Sequence, residues 1–274
     1  MGKYIGKRIL LLVPAVFLVC VIVFALMRLV PGDAVDSIIY KYSSMGISAD
    51  RAEVEAMLGL DQPAVAQFFT WLKGVLTGDL GDSLFEYESV ASIIGRQLPV
   101  TLELGILTLL FSCILSIPIG LFCAAKQDSL PDYAFRVVAI LLVSIPVFWI
   151  ATMVIIYPSL WWGYAPPTTY VSFFENPLEN LRMFIIPALL GALMQAGIQM
   201  RTVRTMTLEV MRLDYIRTAW AKGTKERVIL FKHAFRNAMI PVVTMIGGSA
   251  ATMIGGSVIM ESVFNIPGIG QQVI

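Results

Sequence analysis

Long apolar segments restrict the kinds of fold that this chain can adopt. The first covers residues 9–30 and follows a basic start that contains Lys3, Lys7 and Arg8. A helix of 22 residues reaches about 33 Å, which is enough to cross the hydrocarbon of a bilayer. Charged residues make up 14 % of the chain, whereas a soluble domain carries about 25 %. The sequence therefore predicts an integral membrane protein whose first helix is too long to be a cleaved signal.

Four further apolar segments have the length of membrane spans, so we expect an all-α polytopic fold with five transmembrane helices. They cover residues 98–125, 134–160, 183–200 and 239–260. Residues 201–236 carry nine Lys/Arg against three acids, whereas residues 30–97 carry ten acids against four bases. Short basic connections stay in the cytoplasm, which predicts a cytoplasmic N-terminus and a cytoplasmic loop at 201–236.

These charges divide the chain into three predicted parts. Residues 1–30 are a cytoplasmic N-terminus with the first transmembrane helix, and residues 31–97 are an extracytoplasmic helical segment. Residues 98–274 form a membrane core with a cytoplasmic loop at 201–238. Within the extracytoplasmic segment we predict two short helices, one over residues 48–58 and one that starts at Pro63.

The cytoplasmic loop has more internal order than a positively charged retention loop needs. It contains DYIRTAWAKG at 214–223 and HAFRNAMIP at 233–241. The first motif suits a short helix that Gly223 ends, because glycine accepts the left-handed backbone of a C-terminal cap. A second helical run over residues 226–237 is predicted to lead into Pro241 and the next span.

These two motifs resemble the cytoplasmic signature loop of ATP-binding-cassette importer permeases, and in particular their peptide/nickel branch. That branch has the pattern D-Y-x-R-T-A-R-A-K-G followed by H-x-x-R-N-A-x-x-P. Trp220 and Thr224 depart from it, where the branch usually has Arg and Leu. The residues that match are Asp214, Tyr215, Arg217, Thr218, Ala219, Ala221, Lys222, Gly223, His233, Arg236, Asn237, Ala238 and Pro241.

The resemblance implies a type I importer permease fold, with a sixth helix expected after the five. It implies a permease subunit that forms half of the translocation pathway in the cytoplasmic (inner) membrane of a prokaryote. The implied partners are a second homologous permease, two cytoplasmic ATPase subunits, an extracytoplasmic solute-binding protein and the lipid bilayer, with no nucleic acid. ATP and magnesium would bind to the ATPases, and this chain would bind no cofactor. The matched loop residues would couple this chain to an ATPase. Peptides are the implied cargo; nickel chelates and oligosaccharides are the alternatives within the branch.

Two features suggest a translocation pathway. Glu103 lies inside the second span, where a carboxylate is costly and often functional, although an acid in the first turns of a helix also complements the dipole. Small residues in the fifth span either let helices approach closely or widen a pathway, and the sequence leaves both readings open. The candidate pathway residues are Glu103, Gly247, Gly248, Ser249, Gly255, Gly256 and Ser257.

Several other chemistries lack sequence support. The chain contains no phosphate-binding G-x-x-x-x-G-K-[ST] loop, and His233 is its single histidine. Its three cysteines all lie in apolar spans without metal-like spacing, so we predict no catalytic or metal site. An ion-coupled secondary transporter is the alternative class, but the predicted spans hold few of the acids that it would need. A membrane scaffold or sensor is distinguished only by a transport measurement.

Overall fold

The computed structural model describes residues 2–29, 34–44, 50–83, 86, 88–167, 169–256 and 258–272. These residues are helical almost throughout, and their extended pairing is limited to an isolated bridge between Asp82 and Ser89. The prediction of an all-α fold is confirmed. The chain divides into two compact units, residues 1–93 and 94–274.

The described part of the first unit contains four helices before the start of a fifth. They are α1 (Gly2–Leu29), α2 (Ala34–Ser44), α3 (Arg51–Met57) and α4 (Ala64–Thr77). Helix α4 packs on α1 through Phe68, whose ring lies 5.9 Å from Phe17 and 5.3 Å from Phe24. The predicted helices at 48–58 and from Pro63 correspond to α3 and α4, whereas α2 was not predicted. Helix α2 packs on α3 through Val35, Ile38 and Val54.

The second unit is built from the long helices and the connections between them. The helices are α5 (Val90–Ala125, which begins in the first unit), α6 (Leu130–Ser144), α7 (Val147–Trp162), α8 (Pro177–Met211), α9 (Asp214–Ala221), α10 (Glu226–Val228), α11 (Phe235–Gly256), α12 (Val258–Phe264) and α13 (Ile269–Gln272). Between α10 and α11, residues Ile229–Ala234 form a π-helical segment.

Helix α8 is the central element of this unit. One core cluster joins Phe184 of α8 to Leu104 of α5, Ala151 of α7 and Phe264 of α12. At Gly120, α5 comes so close to α8 that an added Cβ would lie 2.8 Å from the Met200 carbonyl oxygen. Two further clusters join α8 and α5 to α6 and to α11. The long α8 therefore holds together helices that are far apart in the sequence.

The predicted third span is not one continuous helix. Helices α6 and α7 are bent by 91° relative to each other, so the prediction of a single helix over residues 134–160 is wrong. Pro146 has no N–H to continue the helix, and it disfavours helical backbone at the residue before it. Ile145 is accordingly extended, with φ −91° and ψ 130°.

Length and composition identify three described helices that can each cross a membrane: α1, α5 and α8. The bent pair of α6 and α7 counts as a fourth if it is taken as one span. These four correspond to the first four predicted spans. The predicted fifth span, residues 239–260, falls mainly on α11 but includes Ser257, which lies outside the described residues.

Candidate functional site

The first part of the predicted cytoplasmic loop at 201–238 belongs to α8, which continues to Met211. The candidate coupling loop is the remainder, residues 212–238. Helix α9 follows, and it ends as the sequence predicts, because Gly223 has a left-handed backbone with φ +75°. The N–H of Gly223 donates to the Trp220 carbonyl at 2.9 Å, and the N–H of Thr224 donates to the Ala219 carbonyl at 3.2 Å. This pair of bonds is a Schellman cap, which satisfies the last carbonyls of the helix.

The inner face of α9 is held by apolar packing. Ile216 is fully buried and packs against Ile229 and Ala234 of the π-helical segment. Ala219 also packs against this cluster and is partly buried. Sequence reasoning missed Ile216 because it occupies the variable position of the motif; its apolar side chain within a polar, charged run was the available signal.

Three motif residues tie α9 to the start of α11. The side-chain amide of Asn237 donates to the Tyr215 hydroxyl at 2.7 Å, and that hydroxyl donates to the carbonyl of His233 at 3.3 Å. Asn237 also donates to the His233 carbonyl at 3.4 Å. The role of His233 in this network comes from its backbone, within the π-helical segment. π-Helical turns are rare and frequently occur at functional sites.

The outer face of α9 is polar and exposed. Asp214 and Arg217 form an ion pair at 3.3 Å with side chains that are 96 % and 74 % exposed, so the pair adds little to stability. Thr218 donates its hydroxyl to the Asp214 carbonyl within the same helix. The loop residues with exposed positions are Asp214, Tyr215, Arg217, Thr218, Ala221, Lys222, Gly223, Arg236, Asn237 and Pro241. Helix α9 is therefore anchored on one side and presents charged groups on the other.

Glu103 lies beside a cavity of about 470 Å³. The Tyr170 hydroxyl donates to Oε2 of Glu103 at 3.5 Å. Burial, followed by the nearby Glu103 carboxylate, raises the pKa of Tyr170 above its ordinary value. Tyr170 therefore stays protonated at neutral pH and remains a hydrogen-bond donor. The cavity is lined by Phe173, Phe174 and Asn180, among others.

The candidate pathway residues of α11 lie elsewhere. A second cavity, of about 200 Å³, is lined by Thr108, Gln195 and Thr252, and Gln195 donates its side-chain amide to the Ser249 hydroxyl. The structure thus links Ser249 to Gln195, which lines this cavity, and leaves Glu103 at the other one.

Three glycines of α11 meet open space rather than another described helix. A Cβ added at Gly247, Gly248 or Gly255 would lie more than 4 Å from every described atom beyond its own turn of α11. Close helix packing within the described chain therefore does not explain these three glycines. Gly256 ends α11, and the predicted pathway residue Ser257 lies outside the described residues.

Long apolar helices, a basic connection with an anchored short helix and an open face of small residues are typical of a helical membrane transport component. The comparison with known families agrees with this class. The chain belongs to the family of binding-protein-dependent transport system inner membrane components, whose model matches residues 116–274. A model of the N-terminal region of such membrane components matches residues 1–105.

Named relatives cover nearly all of the chain. It is 39 % identical over 272 residues to a Brucella suis biovar 1 (strain 1330) protein that is provisionally named a peptide transport system permease. That alignment covers 99 % of this chain and 85 % of the relative. The dipeptide transport system permease proteins DppB of Alkalihalophilus pseudofirmus and Escherichia coli K12 are 32 % and 33 % identical. Both alignments cover 100 % of this chain and 87 % of the relative.

Family membership makes the chain an ABC-importer permease of the inner membrane, with a type I permease fold. It also implies an ATPase and a solute-binding protein as partners. The predictions of permease class and of a membrane location are therefore confirmed. A permease of this family is not itself the catalytic subunit of the importer.

Proposed function

We propose that this chain is the permease subunit of an ATP-driven peptide importer, in which α9 transmits the movement of a cytoplasmic ATPase to the membrane helices. The observation that carries the proposal is the two-sided construction of α9. Its inner face is fixed to the chain by buried Ile216 and by the Tyr215–Asn237 hydrogen bond, while its outer face is charged and exposed. A rigid helix with a free charged face suits docking in a groove of a partner.

The proposed docking surface consists of the exposed α9 residues together with Lys222, Gly223 and Arg236. Arg217 and Lys222 supply positive charge to the ATPase, and Gly223 lets its surface approach because no Cβ projects there. ATP and magnesium bind to two ATPase subunits rather than to this chain. When the two ATPase subunits close on each other, they move α9 as a rigid lever. The membrane helices then switch between two packings, which the closed and open ATPases stabilise to different extents.

The open face of α11 fits a shared translocation pathway. Gly247, Gly248 and Gly255 leave space that no described atom of this chain fills. A second, homologous permease supplies the opposite wall, so that each subunit forms half of the pathway. Gln195, which lines the cavity of about 200 Å³, and Ser249, its hydrogen-bond partner, provide hydrogen-bonding groups on this half.

The orientation follows from charge. Residues 201–236 carry an excess of Lys/Arg and lie on the cytoplasmic side, where the ATPases are, as does the N-terminus. The acidic residues 31–97 and the binding protein are on the opposite side. Peptides are the proposed cargo because the named relatives are peptide and dipeptide permeases; nickel chelates and oligosaccharides are the alternatives that a cargo assay would reveal.

The proposal is tested by purification and transport. The chain is purified from its native membrane with its partners, reconstituted into liposomes with the binding protein, and supplied with labelled dipeptides and internal ATP. We expect ATP-dependent uptake and the co-purification of a second permease and two ATPases. Uptake that follows an ion gradient without ATP would instead identify a secondary transporter.

A pair of loop variants tests the docking surface. Gly223→Asn tolerates the left-handed backbone and serves as the control, whereas Gly223→Arg adds bulk and charge at the proposed contact. We expect Gly223→Arg to release the ATPases and abolish uptake while Gly223→Asn retains most of both. Unchanged assembly and uptake in Gly223→Arg would contradict the docking model.

A further inference from the structure

A buried ion pair fastens α6 to α8 near the end that leads into α9. The Arg204 guanidinium donates from Nε to Oδ1 of Asp132 at 2.7 Å and from Nη2 to Oδ2 at 2.6 Å. The Asp132 side chain is fully buried, and that of Arg204 is 13 % exposed. This two-point geometry fixes the distance and the relative orientation of the two side chains.

The same carboxylate organises the turn between α5 and α6. The backbone N–H of Asp128 donates to Oδ2 of Asp132 at 3.0 Å, and Asp128 has a left-handed backbone with φ 60°. Nε of Arg136 lies 3.6 Å from Oδ1 of Asp132. One buried acid therefore holds the turn, the first turn of α6 and the side of α8.

Stability alone is a weak explanation for this pair. Replacing a buried ion pair by well-packed apolar residues of similar volume is often harmless to stability, because burying two charges away from water is costly. What such a pair supplies, in the best-attested cases, is a fixed register between two elements. The position of the pair in the fold determines which helices it can couple.

Arg204 lies seven residues before Met211, the last residue of α8, or about 10 Å along the helix. Asp132 lies in the first turn of α6, which continues through the 91° bend into α7. Val147 at the start of α7 lines the cavity of about 200 Å³ together with Gln195 of α8. The pair thus stands between the coupling loop and the helices around this cavity.

We propose that Asp132 and Arg204 are positioning residues that make α6 move with α8, so that displacement of α9 reaches the bent pair of α6 and α7. The inference rests on the proposed function. Without the pair, α8 can still follow the ATPase, but α6 is held to it by apolar packing alone, such as that of Ala139 against Met200, and can lag behind. ATP hydrolysis then continues while less cargo is moved for each ATP.

The test measures uptake and ATP hydrolysis in the same proteoliposomes, with the complete complex and its binding protein. Asp132→Asn and Arg204→Gln each leave an unpaired buried partner and are expected to reduce assembly. The double variant Asp132→Asn/Arg204→Gln removes both charges of the pair, so that only the partly exposed Arg136 loses its acidic neighbour, and this variant is expected to assemble. Lys126→Gln is the matched control, since it removes an exposed cation of the same turn that has no ion pair with any described residue.

We expect the double variant to hydrolyse ATP at close to the wild-type rate and to move roughly two- to thirtyfold less cargo per ATP, the range typical of residues that modulate coupling. Lys126→Gln should keep the wild-type ratio. A double variant with the wild-type ratio of cargo to ATP, or one that loses uptake and hydrolysis in equal proportion, would overturn the inference. Absence of ATP-driven uptake by the wild-type complex would instead overturn the proposed function.

Discussion

The hydroxyl of Thr101 donates a hydrogen bond to Oε1 of Glu261 at 2.8 Å, across 160 residues of sequence. Both side chains are almost completely buried. The same hydroxyl accepts from the N–H of Ile269 at 2.9 Å, and Oε2 of Glu261 accepts from the N–H of Gln271 at 3.1 Å. Among the described residues Glu261 has no cationic partner, so hydrogen bonds hold its carboxylate and join α5 to α12 and α13.

The first prediction concerns Thr101→Val, which keeps the shape of the side chain and removes its hydroxyl. A buried polar group that loses its partner costs about 1–3 kcal/mol, and more if it is charged. We expect a clear fall in the thermal midpoint of the purified complex. Thr244→Val is the control, because the hydroxyl of this exposed residue donates to the Ile240 carbonyl of its own helix and to no other described residue. Equal midpoints for the two variants would contradict the role of the Thr101–Glu261 bond.

The second prediction concerns Gly268→Ala. The new Cβ would overlap the carboxylate of Glu261, which is buried and hydrogen-bonded and so cannot simply rotate away. Overpacking of this kind costs about 1–3 kcal/mol, and the thermal midpoint should fall. Gly247→Ala is the matched control, since its Cβ meets open space; in an isolated subunit its midpoint should stay the same or rise.

The third prediction concerns Ile216→Ala in the coupling loop. Ile216 is fully buried, and deletion of a buried isoleucine side chain costs about 2–5 kcal/mol. We expect α9 to become susceptible to limited proteolysis while α8 and α11 remain protected. Val228→Ala, at a 40 % exposed position, should have little effect. Protection of α9 in both variants would show that other contacts hold this helix.

The fourth prediction concerns Tyr215→Phe, which removes the hydroxyl that links Asn237 to the His233 carbonyl. A hydrogen bond of this kind contributes about 0.5–1.5 kcal/mol, so amide hydrogen exchange in α9 should accelerate roughly two- to tenfold. The control is Tyr157→Phe in α7, whose hydroxyl has no hydrogen bond to any described residue. Unaltered exchange in Tyr215→Phe would mean that the apolar cluster alone fixes α9.

Local features were predictable from the sequence where one residue type determines the outcome. The left-handed backbone at Gly223 and the start of α4 after Pro63 are set by the conformational properties of those residues. The long membrane helices were evident because a continuous apolar run of that length is rarely compatible with a soluble fold. The resemblance of the 214–241 motifs to importer permeases led to the correct family.

Features that depend on distant partners were not predictable in the same way. Nothing near Asp132 or Glu261 in the sequence indicates the partner that holds each carboxylate, since Arg204 and Thr101 come from other helices. Pro146 is visible in the sequence, yet a proline inside an apolar run is compatible with a kinked single helix as well as with two helices. The functional roles of the loop and pathway residues stay predictions until the variants are measured.

The open space at Gly247, Gly248 and Gly255 has a practical consequence for observing this protein at work. The Cβ of a cysteine at any of these positions would meet no described atom beyond its own turn of α11, whereas the native Cys123 is buried and Cys20 and Cys113 are partly so. A thiol-reactive probe would therefore label the introduced site preferentially. The rate of labelling would be measured without the partner subunits, with them, and then with ATP. A slower rate would show that a partner covers this side of α11, and its change with ATP would show when.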